Sequence, residues 1–226
     1  MTKIKNYTPI DEHHLYTMTA EIDDHINRAT RIINHMREFG RKSEIATEII
    51  NVNPVIEKAF EIFAQQLKLR GIEVVWELAP DLPGIKADAS KLEQVIINLL
   101  VNARDAIEDR WGQRPSDADT GNKKIIIRSR SDGRFVTLEV EDTGTGIPAD
   151  QMEKIFEPFY TTKEAGKGTG LGLSITYSII REWGGIIYAD PHRKEGARIT
   201  IRFPAARENH QKNGREKDAA AVRTDR

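Results

Sequence analysis

Between Asp142 and Leu173 the chain reads DTGTGIPADQMEKIFEPFYTTKEAGKGTGLGL, and few folds tolerate glycines spaced this way on both sides of an aromatic and basic segment. The first cluster follows a β-like run, Phe135 to Glu141, so Asp142 falls where a strand breaks into a loop. Gly144 and Gly146 let backbone approach a flat ligand with no Cβ in the way. An ionised carboxylate only accepts hydrogen bonds, whereas the exocyclic amine of adenine donates them. The second cluster, Gly166, Gly168, Gly170 and Gly172, opens the apolar run that starts at Leu171. Free N–H groups at a helix start, with the positive end of its dipole, attract phosphate. The two clusters offer separate anchors, one for a purine and one for its phosphates.

Other glycine motifs fail. A Walker loop needs Ser or Thr after Gly166-Lys167, where Gly168 stands, and its first glycine would fall on Thr161. A dinucleotide fingerprint needs glycine three residues beyond Gly168 or Gly170, where Leu171 and Leu173 stand.

A second chemical signal lies upstream, in SKLEQVIINLLVNARDAI, residues 90–107. Leu92, Val95, Ile96, Leu99, Ala103, Ala106 and Ile107 make this helix apolar, yet Gln94, Asn98, Asn102 and Asp105 share one face. Amides buried without partners cost roughly 1–3 kcal/mol each. Loops packed on the helix would supply partners, and so would phosphate oxygens with a magnesium ion, which takes oxygen ligands.

Residues 1–44 precede this unit. Leu15, Ile22, Ala29 and Met36 recur every seven residues, with Ile26 and Ile33 between them, as in a coiled-coil seam that needs a partner helix. Strands are expected at 48–52, 72–78, 124–130, 134–141, 186–189 and 198–203, with Asp132-Gly133 turning a hairpin and Asn53-Pro54 starting a helix. Residues 205–226 carry almost no large apolar side chain and read as a disordered polar tail. The formal net charge of −1 gives no electrostatic reason to expect nucleic acid or a membrane surface as partner, and no apolar run is long enough to span a bilayer. The absence of cysteine excludes disulfides and thiolate metal sites, and fits a cytoplasmic setting.

Four segments then occur in a telling order: Asn98-Leu-Leu-Val-Asn102-Ala, Asp142-Thr-Gly144-Thr-Gly146-Ile147, Phe156-Glu-Pro-Phe159, and Gly168-Thr169-Gly170-Leu171-Gly172-Leu. They resemble the N, G1, F and G2 boxes of sensor histidine kinases, over residues 45–204. The resemblance implies an α+β fold, a two-layer sandwich of a mixed sheet backed by helices, binding ATP with Mg²⁺. It implies that Asn102 ligates Mg²⁺, that Asn98 and Asp105 lie near the phosphates, and that Asp142 holds the adenine amine, with Ile147 and Thr200 beside the nucleotide. Residues 156–168 would form a lid whose Phe159, Thr162, Lys163 and Lys167 close over it; Asn98, Asn102 and Lys163 would serve the transfer itself. The seam resembles the second helix of the family's dimerisation hairpin, which implies a homodimer and a response regulator receiver domain as partners, in a parent protein that can be membrane-anchored. None of His13, His14, His25 or His35 is followed by the acid of the phosphoacceptor motif, so the expectation is a chain that binds Mg-ATP without phosphorylating itself. A nucleotide-operated switch and an anti-sigma-type serine kinase remain alternatives within the same pocket.

Overall fold

The computed structural model describes residues 18–19, 22, 47–112, 122–163, 168–191, 193 and 195–206. Most of the seam, Lys167 and residues 207–226 lie outside them; of the seam, Met18, Thr19 and Ile22 are helical, and Met18 and Ile22 are exposed.

After β1 (Glu48–Ile50), helix α1 (Val52–Leu69) starts two residues earlier than expected. Asn51 caps it, its side chain accepting from the amide of Asn53, so Pro54 falls at the third helical position, where its missing N–H is no loss. β2 (Glu73–Leu78) follows, and then β3 (Ile85–Ala87), a strand that three residues were too few to announce. β3 pairs antiparallel with β1 as a separate two-stranded sheet. Asp88 caps the central helix α2 (Ala89–Trp111), accepting from the amides of Ser90 and Lys91. Gly112, at φ 79°, ends it. β4 (Lys124–Ser131) and β5 (Phe135–Asp142) form the expected hairpin, with Asp132 accepting from the amides of Arg134 and Phe135. Two 3-10 turns, Ala149–Gln151 and Lys154–Phe156, lead to α3 (Gly172–Glu182), β6 (Ile186–Ala189) and β7 (Arg198–Pro204).

The main sheet has the order β2-β4-β5-β7-β6, parallel only between β2 and β4. Alternation divides its faces. Ile125, Ile127, Val136, Leu138, Val140, Ile199, Ile201 and Phe203 are buried in one core with Ile56, Leu92, Ile96, Leu100 and Ile107 of α1 and α2 and Ile180 of α3. Each such side chain contributes about 1.5–3 kcal/mol through burial. The opposite face carries Glu139 and Glu141, clamped by Arg128, Arg130, Arg193 and Arg198. The result is the α+β two-layer sandwich expected from the sequence. Its edge extends slightly into the segment placed in the tail: Ala205 donates to the Arg134 carbonyl and Ala206 to that of Gly84.

Candidate functional site

The core spacing of α2 turns its amide-bearing stripe away from the sheet. Asn98, Asn102 and Asp105 line a cavity of about 400 Å³, closed on the other side by Tyr160, Thr162, Lys163, Gly168, Thr169, Gly170 and Gly172. Asn98 donates through Nδ2 to the Gly172 carbonyl (3.3 Å) and Thr176 Oγ1 (3.4 Å), so it ties α2 to the first turn of α3, and its carbonyl oxygen has no donor among the described residues. The Asn102 side chain has no hydrogen-bond partner among the described residues. Asp105 is fully engaged: Oδ1 accepts from Arg104 and Oδ2 from Lys163 Nζ at 2.5 Å.

Two glycines of the second cluster, Gly168 and Gly170, permit close approach. A Cβ on Gly170 would lie 2.3 Å from the Phe159 carbonyl carbon, and one on Gly168 2.4 Å from Thr161 Oγ1. Phe159 donates its amide to the Gly170 carbonyl and is held at φ 67°, left-handed and unfavourable for a residue with a Cβ, while the residue is 62% exposed.

At the other end of α2 stands Asp142, 7% exposed. Its Oδ1 accepts from the amides of Gly144 (2.8 Å) and Ala197 (3.3 Å); Oδ2 has no donor among the described residues. Burial pushes its carboxyl up to about 6, against the two amides and the nearby Arg193, which lower it, and Glu141, which adds to the rise. Burial presses Glu141 upward as well, but hydrogen bonds from Arg128 and Arg198 and the charges of Arg193 and Arg198 leave it below its ordinary value. Near neutral pH Asp142 is therefore mostly an ionised, half-satisfied acceptor. The loop after it rests on α2: Thr145 donates to the Ala106 carbonyl, and a Cβ on Gly144 would be 2.4 Å from the Ala106 carbonyl carbon.

Of the residues singled out in the sequence, Asn98, Asn102, Asp105, Thr162, Lys163, Gly168, Thr169, Gly170 and Gly172 come together around the cavity. Asp142, Gly144, Gly146 and Ile147 do not line that cavity, Leu171 is buried, and Phe159 is exposed. Thr200 must be removed from the site. It pairs with Glu139, whose alternation puts it on the face of β5 opposite to Asp142. Gly196 was missed: at φ 66°, a Cβ there would lie 1.8 Å from the Asp142 carbonyl oxygen. Its place in the short run EGAR, before a strand, was the available signal. Magnesium fits the oxygen-donor set here, since Asn102 offers an amide oxygen with no competing partner at the cavity wall.

A family described as "Histidine kinase-, DNA gyrase B-, and HSP90-like ATPase" matches residues 87–207. The sensor kinase CckA of Brucella abortus is 41% identical over 189 residues, 81% of this chain and 20% of that protein. The sensor histidine kinase ZraS of Escherichia coli O157:H7 is 32% identical over 194 residues, 86% of this chain and 39% of ZraS. The chain thus spans from a fifth to two-fifths of these relatives. Among solved structures, the nucleotide-free catalytic domain of histidine kinase ThkA is similar at 31% identity and TM-score 0.60, over 71% of this chain and 99% of that one. ThkA in complex with the response regulator TrrA gives TM-score 0.68 at 28% identity, over 88% and 53% respectively.

Proposed function

Because the chain belongs to the histidine kinase-, DNA gyrase B- and HSP90-like ATPase family, as the ATP-binding catalytic domain of a sensor histidine kinase, we propose that it binds Mg-ATP between Asp142 and the amides of α2 and transfers the γ-phosphoryl group to a histidine of a dimerisation domain. The observation that carries this reading is the buried Asp142 carboxylate, with no donor on Oδ2 among the described residues, held by its loop against the helix that bears Asn98 and Asn102. Oδ2 accepts from the adenine amine. Asn102 would hold Mg²⁺, which would supply charge neutralisation on the triphosphate. Asn98 orients the phosphates, and Lys163 leaves Asp105 to meet the γ-phosphate. Residues 156–163 and Gly168 close over the nucleotide and exclude water. The bond from the γ-phosphorus to its bridging oxygen breaks as an imidazole nitrogen bonds the phosphorus, and ADP leaves.

No histidine of the chain fits the acceptor pattern, so we assign the acceptor to a segment outside it. Dimerisation through the helical seam, onward transfer to a receiver aspartate and a cytoplasmic setting complete the proposal; ThkA was solved with a response regulator. Among the described residues no helix is long and apolar enough to cross a membrane.

Calorimetry with Mg-ATP on the wild type and Asp142→Ala tests the site, and label transfer from γ-labelled ATP to a separate phosphoacceptor hairpin tests the reaction. Binding abolished by the substitution and transfer in trans are the expected results. Equal binding by Asp142→Ala would end the purine assignment.

A further inference from the structure

The last turn of α2 carries two side chains, Arg110 and Trp111, that lie outside all four motif segments. Trp111 Nε1 donates to the Thr143 carbonyl at 2.9 Å. Arg110 lies over the Trp111 ring, 4.7 Å from its centroid, and donates to the carbonyls of Gly144 (3.2 Å) and Thr143 (3.4 Å). Gly112 ends the helix immediately afterwards, and its carbonyl accepts from Lys123 Nζ at 2.9 Å; Lys123 is 2% exposed. The helix end is thereby pinned to the start of β4. Thr143 is the neighbour of Asp142, and its hydroxyl is tied in turn to the carbonyl of Asn122 and the amide of Lys124. One helix carries the phosphate-side amides three turns away and, at its end, two side chains that hold the carbonyls next to the base-side carboxylate.

We propose that Trp111 and Arg110 are positioning residues for purine selection: by gripping the Thr143 and Gly144 carbonyls they hold Asp142 at the distance from Asn102 that an adenine nucleotide requires. This rests on the reading of Asp142 as the acceptor for the purine amine. A hydrogen bond to a carboxylate depends steeply on distance and angle, so a loop free to drift loses this contact while the phosphate anchors on α2 stay in place. A general loss of fold, in contrast, weakens every nucleotide alike.

The test is calorimetric titration of the full chain, in the presence of Mg²⁺, with ATP and with purine riboside triphosphate, which lacks the 6-amino group. Wild type should prefer ATP. Trp111→Phe keeps the ring under Arg110 but removes the donor; it should weaken ATP about five- to tenfold, as expected for one lost hydrogen bond transmitted to a charged one. Binding of the analogue should change by less than about twofold. Arg110→Gln should move the same ratio in the same direction. Unchanged ATP affinity, or a parallel loss for both nucleotides, overturns the proposal. Should Trp111→Phe fail to give a cooperative melt, Arg110→Gln decides by the same ratio. A wild type that binds both nucleotides equally would instead remove the purine reading of Asp142, and the clamp with it, so the two failures are told apart by which protein shows them.

Discussion

Replacing Asp142 by Asn should make the protein more stable and worse at its work. In the folded chain the carboxyl titrates at about 6, against an ordinary value of 3.8, chiefly because burial penalises its charge. For an acid whose folded value is raised, the native state holds the proton more tightly. The stabilisation is complete below about 3.8 and is lost as pH rises through about 6, after which it is flat. At about 1.4 kcal/mol for each pH unit of that interval, keeping Asp142 ionised at pH 7.5 costs about 3 kcal/mol. Asparagine keeps the acceptor for the Gly144 and Ala197 amides and carries no charge, but its amide nitrogen must be desolvated, which returns about 1 kcal/mol. The net gain is about 1–3 kcal/mol, or a melting temperature higher by about 3–10 °C for a domain of this size. Urea or thermal melts of both proteins from pH 4.5 to 8 measure it, since other titrating groups cancel in the difference. The advantage of Asp142→Asn should be largest above pH 7 and shrink toward pH 4.5. ATP affinity should fall at least about tenfold, because the new NH₂ meets the purine amine donor to donor. An Asn protein no more stable than wild type at pH 7.5, or an advantage independent of pH, would refute the reasoning.

In the wild type, ATP binding should weaken as pH falls below about 6, when Asp142 takes up its proton; isothermal titration across pH 5–7.5 checks this, and a flat profile contradicts it. Asp105→Asn frees Lys163 and removes a carboxylate from the phosphate side, so ATP should bind about three- to fivefold more tightly, in keeping with a partly exposed ion pair worth under about 1 kcal/mol; weaker binding would give Asp105 a direct role with the nucleotide. Gly196→Ala cannot be accommodated against the Asp142 carbonyl and should cost at least about 2 kcal/mol in melts, together with most ATP binding. Chelation of Mg²⁺ should weaken ATP in the wild type and have little further effect in Asn102→Ala; equal losses in both proteins would move the metal elsewhere.

Much of the candidate site was legible because its residue types and spacings are local. The strand ending at Asp142, the glycines beside it and the amides spaced along α2 each state their residue type and their face within a dozen positions. The hairpin at Asp132-Gly133 is legible for the same reason, its turn being closed by its own side chain. Boundaries were less so. Asn51 and Asn53 are both acceptable caps, and which one starts α1 depends on a strand that ends at Ile50. Thr200 shows the limit clearly: alternation along β7 says that neighbouring residues face opposite ways, but which set faces the helices is decided by its register with β5.

By itself the sequence determined the periods of its strands and helices and the order of its motifs, and the resemblance those motifs carry implied the mixed sheet with helices on one face. Tertiary structure alone decided the partners: Lys163 resting on Asp105 from 58 positions away, Gly196 pressed on the Asp142 backbone, and the end of α2 gripping Thr143. The physical reason is range. Propensity and periodicity act between residues a few bonds apart, whereas burial, close approach and hydrogen-bond pairing depend on which distant segments the folded sheet brings within contact distance.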